Sequence, residues 1–103
     1  MKVVLSPLAQ WKIEQLLEYL EIEWSLKSKE KFWKILLESF NQIANAPRSA
    51  PESEEFPNLF RKVVTKQTSY YYRIKSDKIE IIDLVDNRQD PDTIYKSMKK
   101  HFG

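Results

Sequence analysis

The residues of this chain that can do chemistry are few in kind. Cysteine is absent, which removes thiolate catalysis, disulfides and zinc knuckles. The single histidine, His101, stands almost at the last position, a poor place for a Ser-His-Asp triad and insufficient for a histidine-pair metal site. The single glycine is Gly103, so neither a P-loop nor a dinucleotide-binding loop can be built. Any acid–base or phosphate chemistry must therefore come from arginine, lysine, tyrosine and carboxylates. No metal and no cofactor is expected.

Two stretches gather such residues. Residues 56–76 contain no acid but do contain Arg61, Lys62, Lys66, Arg73 and Lys75, just after the acidic "PESEE". A basic block on a folded segment can make a phosphate-attracting patch. It can equally be a strand with charges turned to water. The second stretch is "DNRQDP", residues 86–91, which follows the apolar run "IEIIDLV" directly. There Arg88 either projects a cation from the end of a strand or braces a turn by pairing with Asp86 or Asp90.

The elements that would position these residues follow from periodicity. "KVVL" reads as a first strand. Ser6-Pro7 reads as an N-cap with proline at the first helical position. Leu8, Ile13, Leu16, Leu17, Leu20 and Trp24 then recur at helical spacing, with Glu14, Glu18 and Glu21 away from them. Residues 25–46 form a second helix with a wide apolar face containing Phe32, Leu36, Phe40 and Ile43. Ser25 or Ser28 caps it, and Pro47 ends it. The short link predicts an antiparallel helical hairpin. Residues 48–57 are polar and proline-rich, hence a loop.

Three strand-like runs come next: "LFRKVVTK", "SYYYRIK" and "KIEIIDLV". The first alternates Arg61 against Lys62, so the two face opposite sides. In the second, Tyr70, Tyr72 and Ile74 share one face, opposite Ser69, Tyr71 and Arg73. The third is apolar on both parities, as a central strand covered on both sides would be. "KQTS" and "KSDK" are hairpin turns without glycine. "PDTIYKSMKKHF" forms a terminal helix with Ile94, Met98 and Phe102 on one face. The expected order is β-α-α-β-β-β-α. This is an α+β domain spanning residues 1–103, with an N-terminal helical hairpin on a small, mainly antiparallel sheet. The sheet face away from the hairpin is expected to be a binding groove. The 31% of charged residues, the lack of a membrane-length apolar run and the short apolar opening point to a cytoplasmic protein with no membrane partner.

The segments "YLEIEW", "IANAPRSAP", "LFRKVV", "YYYRI", "IEIIDLV" and "DNRQDP", in this order over nearly the whole chain, resemble the RelE/ParE toxin superfamily. They look most like members described as plasmid-stabilisation or addiction-module toxins. The resemblance implies the toxin of a type II toxin–antitoxin pair, wrapped and neutralised by a cognate antitoxin in a hetero-oligomer. RelE-like members cut messenger RNA on the ribosome; ParE-like members inhibit DNA gyrase without chemistry of their own.

Metal-free RNA cleavage needs a base for the 2′-hydroxyl, cations against the developing charge and an acid for the leaving oxygen. The activity expected from the resemblance is that of a RelE-like ribosome-dependent endoribonuclease of messenger RNA, and the resemblance assigns catalysis to Arg88, Lys62 and Tyr95, and RNA binding to Arg61, Lys66 and Arg73. Two positions depart from that pattern. Ser69 stands where such enzymes place an arginine, and Asp86 where many relatives carry a histidine. Loss of one charge-stabilising group costs roughly a hundredfold to a thousandfold in rate. The alternatives are a ParE-like gyrase inhibitor and a member that keeps only antitoxin binding. For Arg88 the family match puts function first; Tyr95 and His101 read first as packing residues.

Overall fold

The computed structural model describes residues 1–102, with the side chains of Pro91, Met98, His101 and Phe102 outside the described set. The elements are β1 (Lys2–Leu5), α1 (Pro7–Glu23), α2 (Leu26–Asn45), β2 (Phe60–Val63), β3 (Thr68–Lys75), β4 (Lys78–Asp86) and α3 (Pro91–Phe102). The sheet order is β1-β4-β3-β2. β1 runs parallel to β4, and the other pairs are antiparallel. The α+β class and the helical hairpin agree with the sequence reading. Among the described residues no helix is long and apolar enough to cross a membrane.

β1 ends where the chain turns into α1, and Ser6 secures the turn. Its hydroxyl caps α1 by accepting from Ala9 N at 3.0 Å, and donates to Ile82 O at 2.7 Å. Its backbone N–H donates to Ile81 O at 2.9 Å. One buried side chain thus satisfies an orphan helix donor and holds the helix start on β4. Ser25 caps α2 by accepting from Ser28 N.

The hairpin covers one face of the sheet. Ala9 and Ile13 of α1 and Phe32, Leu36 and Ile43 of α2 pack on Phe60, Tyr70, Tyr72, Ile79, Ile81 and Leu84. The buried phenols keep polar partners, as burial demands. The Tyr70 hydroxyl lies 3.0 Å from Ser39 Oγ, and Tyr72 Oη donates to Pro47 O at 2.7 Å.

β4 is apolar on both parities for the reason its sequence suggests: it lies inside the sheet and is covered on both sides. The pairing contains a β-bulge. Tyr72 pairs with Ile81 and Tyr71 with Asp83, which leaves Ile82 as an extra residue. Ile82 and Val85 join a second, smaller cluster with Phe56, Tyr71 and Ile94.

That cluster corrects one expectation. The face away from the hairpin is not an open groove. The segment carrying Phe56 and the helix α3 lie over it, because Tyr71, Ile82 and Val85 present apolar surface that has to be buried. Ile94 is buried as expected of α3; Met98 and Phe102, expected beside it, and His101 lie outside the described side chains.

β2 is shorter than its apolar run. After Val63 the chain turns, with Val64 N and Thr65 N both donating to Thr68 O. The outer edge of β2 is partly closed by the preceding loop, through Arg61 N to Pro51 O at 3.0 Å and a bridge between Glu52 and Phe60. In the β3–β4 turn Ser76 takes φ 58°, a left-handed conformation that glycine would adopt without steric cost.

Ser6→Ala removes the α1 cap and the bond to the Ile82 carbonyl together. Urea denaturation should show about 2 kcal/mol lost, on the scale of a cap plus a buried hydrogen bond.

Candidate functional site

A groove of about 570 Å³ runs between α1 and the end of the sheet where β3 begins and β4 ends. Leu16, Tyr19 and Leu20 of α1, Trp24 at its C-cap and Phe32 of α2 form an apolar wall. Helical spacing places them along one side of α1. The opposite side is Thr65 and Gln67 of the β2–β3 turn, Thr68 of β3, Leu84, Val85 and Asp86 of β4, then Arg88 and Gln89. Trp24 is 71% exposed and Tyr19 is also largely exposed, so aromatic surface is open to a partner.

Lys12 lines the groove near the base of α1 and reaches Asp83 at 2.7 Å. Asp83 is fully buried, whereas the Lys12 side chain is 25% exposed. A carboxylate inside a strand covered on both faces requires such a partner. The pair ties α1 to β4 beneath the groove. Neither residue was marked by the sequence reading. The available signal was an aspartate inside an otherwise apolar, central-strand run.

The structure brings only one of the six expected site residues into this groove. That residue is Arg88, whose side chain is 73% exposed. It is already engaged. Its Nε donates to Asp86 Oδ1 at 3.0 Å and Oδ2 at 3.2 Å, its Nη2 to Oδ2 at 2.6 Å, and its backbone N–H to Oδ1 at 2.8 Å. The side-chain and backbone bonds from Arg88 hold the Asp86 carboxyl down at about 2, and Asp86 raises the Arg88 guanidinium in turn. Asp90 does not share the pair. It accepts from Thr93 N and Thr93 Oγ1 at the start of α3, and those bonds lower its carboxyl.

The other five are dispersed. Lys62 pairs across the sheet with Tyr70, on the hairpin side of β2, and Lys66 is exposed in the β2–β3 turn. Arg61 pairs with Tyr71 on the opposite face, where it bonds Tyr71 Oη at 3.2 Å and Asn87 Oδ1 at 2.7 Å. Arg73 forms a cross-strand ion pair with Glu80 at 2.7 Å, toward the β3–β4 hairpin end. Tyr95 stacks on Phe56 with ring centroids 5.8 Å apart. Burial pushes the phenols of Tyr70, Tyr71 and Tyr72 upward, so these three remain neutral hydroxyls at neutral pH.

Residues 3–91 match the family model described as the ParE toxin of the type II toxin–antitoxin system, parDE. The chain belongs to the ParE toxin family. It is thus the toxin of a toxin–antitoxin system, with a cognate antitoxin as partner. None of the curated proteins matches it in sequence. Among solved structures it is similar to a chain of the chromosomal ParDE system from P. aeruginosa, with a TM-score of 0.72 and 14% identity over 84% of this chain and 95% of that one. It is also similar to a YoeB/ParE toxin from Agrobacterium tumefaciens, with a TM-score of 0.61 and 11% identity over 84% and 99%. At such identities the likeness is one of fold.

Asn87 organises the end of the sheet in this ParE-family toxin and was not singled out by sequence. Its Oδ1 accepts from Arg61 and, at 2.6 Å, from the buried Ser69 hydroxyl. Its Nδ2 donates to Lys66 O at 3.1 Å, and its backbone N–H to Gln67 O at 2.8 Å. It joins the β2–β3 turn to the end of β4. Ser69, standing in place of an expected arginine, therefore serves this junction.

Asn87→Ala should cost about 1–3 kcal/mol in chemical denaturation, because the Ser69 hydroxyl and Arg61 lose their shared acceptor. Hydrogen exchange in residues 64–68 should rise with it. A second expectation concerns pH. Asp86 is depressed in the folded chain, so its ion pair is complete above the ordinary aspartate pKa of about 3.9 and is lost as pH falls through about 2. Carboxyl carbon NMR should place the Asp86 midpoint near about 2, and Arg88→Ala should return it toward about 3.9.

Proposed function

We propose that this toxin acts by binding a protein target, in the manner of ParE-like inhibitors of DNA gyrase, and is held inactive by its cognate antitoxin. The observation that carries this reading is the groove itself. One wall, of Leu16, Tyr19, Leu20, Trp24 and Phe32, is apolar and aromatic. It faces the neutral side chains of Thr65, Gln67, Thr68 and Gln89, and the charged side chains that line the groove are paired within the protein. Desolvated aromatic side chains are the common anchors of protein–protein recognition. RNA cleavage would require a base, an acid and cations converging on one phosphate. Here Arg61 and Arg73 are engaged away from the groove, and Tyr95 packs on Phe56.

A ribosome-dependent endoribonuclease is the second reading. Lys62 and Lys66 favour it, since neither forms an ion pair among the described residues. Under that reading Lys62 and Lys66 meet RNA and Arg88 stabilises the phosphate.

The deciding experiment is twofold: gyrase supercoiling with the purified toxin, and primer-extension mapping of messages after induced expression. Inhibited supercoiling with intact messages is expected. Trp24→Ala and Tyr19→Ala should each raise the half-inhibitory concentration by roughly thirtyfold, the scale of a lost interface anchor. Codon-linked cuts with unimpaired gyrase would overturn the proposal. A folded chain that leaves growth unaffected would instead indicate a member that only binds its antitoxin.

A further inference from the structure

The Asp86–Arg88 pair has a geometry with consequences for which ligands the groove accepts. Asp86 takes the Nε and Nη2 edge of Arg88 with both carboxylate oxygens. This is the edge-on, two-oxygen arrangement by which a guanidinium grips a phosphate. The Arg88 backbone N–H also donates to Asp86, so the carboxylate is held in place by the main chain as well. The remaining cation of the groove, Lys12, is matched by the buried Asp83.

We propose that Asp86 is a specificity-determining residue, an internal counter-ion that occupies Arg88 and keeps polyanions out of the groove. An entering phosphate must displace a carboxylate two positions away in the chain, which acts at high effective concentration. It must then lie beside that displaced negative charge, a like-charge contact that disfavours it. A protein segment offering apolar side chains to Leu16, Tyr19 and Trp24 meets neither penalty. The inference goes beyond the binding reading, because it concerns what the groove rejects and holds whichever protein is the target.

The test is fluorescence anisotropy with a labelled single-stranded RNA oligonucleotide at several salt concentrations. Asp86→Asn should bind about threefold to tenfold more tightly than wild type at low salt, with a salt slope steeper by about 0.7, as one added phosphate contact requires. Asp86→Ala should show the same gain. The double variant Asp86→Asn/Arg88→Ala should return to the wild-type value. Asp77→Asn removes an equal charge at the far β3–β4 turn and should leave binding unchanged. Three results would overturn the proposal: no gain in Asp86→Asn, an equal gain in Asp77→Asn, or a gain that survives loss of Arg88. Gyrase inhibition and message mapping are read separately, so failure here and failure of the binding reading are distinguishable.

Discussion

β4 is buried on both faces along most of its length, and every polar group it carries must find a partner inside the protein. Asp83 is the clearest case: a carboxylate in that position has no access to bulk water and is met by Lys12 of α1. The carbonyls of Ile81 and Ile82 are met by Ser6 at the start of the same helix. Three contacts of different chemistry therefore set α1 on one strand. The bulge at Ile82 adds to this, since it lets β4 supply Ile79, Ile81 and Leu84 to one cluster and Ile82 and Val85 to the other. The groove exists because α1, fixed near its start, leaves a space at its later turns, where Tyr19 and Trp24 face the end of β4.

The electrostatics of the groove follow from the same economy. Its cations are not displayed as a field but matched one to one, Lys12 by Asp83 below and Arg88 by Asp86 at the rim. The cations of the middle strands are divided between two faces by strand alternation. What remains open to a partner is an aromatic and aliphatic wall facing the neutral polar side chains of Thr65, Gln67, Thr68 and Gln89. One fold can host several unrelated activities, so fold membership alone does not name the target.

Much of this architecture was legible before the structure. The helical hairpin follows from two apolar stripes at helical spacing and from Ser6-Pro7, Ser25 and Pro47 at its boundaries. The central place of β4 follows from apolar residues on both parities. Which segments cover the second face was not legible, because Phe56 lies in a polar, proline-rich loop and Ile94 in a helix of mixed character. The two become a layer only when brought over Tyr71. Arg88 lies just past the end of β4, and the choice between Asp86 and Asp90 as its partner depended on which carboxylate the start of α3 would claim. Asn87 offered no sign of its role, since its partners come from residues distant in sequence.

The sequence by itself determined the element order and the chemistries its composition excludes, because those depend on residue types, periodicity and absences that need no partner, and its ordered short segments carried the family resemblance. The tertiary structure decided which partner each of these cations takes. Lys12 meets Asp83, Arg61 meets Asn87, Arg73 meets Glu80 and Arg88 meets Asp86. Apart from the last, these pairs join residues on different elements. Register, bulge and helix placement set such distances to within hydrogen-bond reach, and no spacing along the chain encodes them.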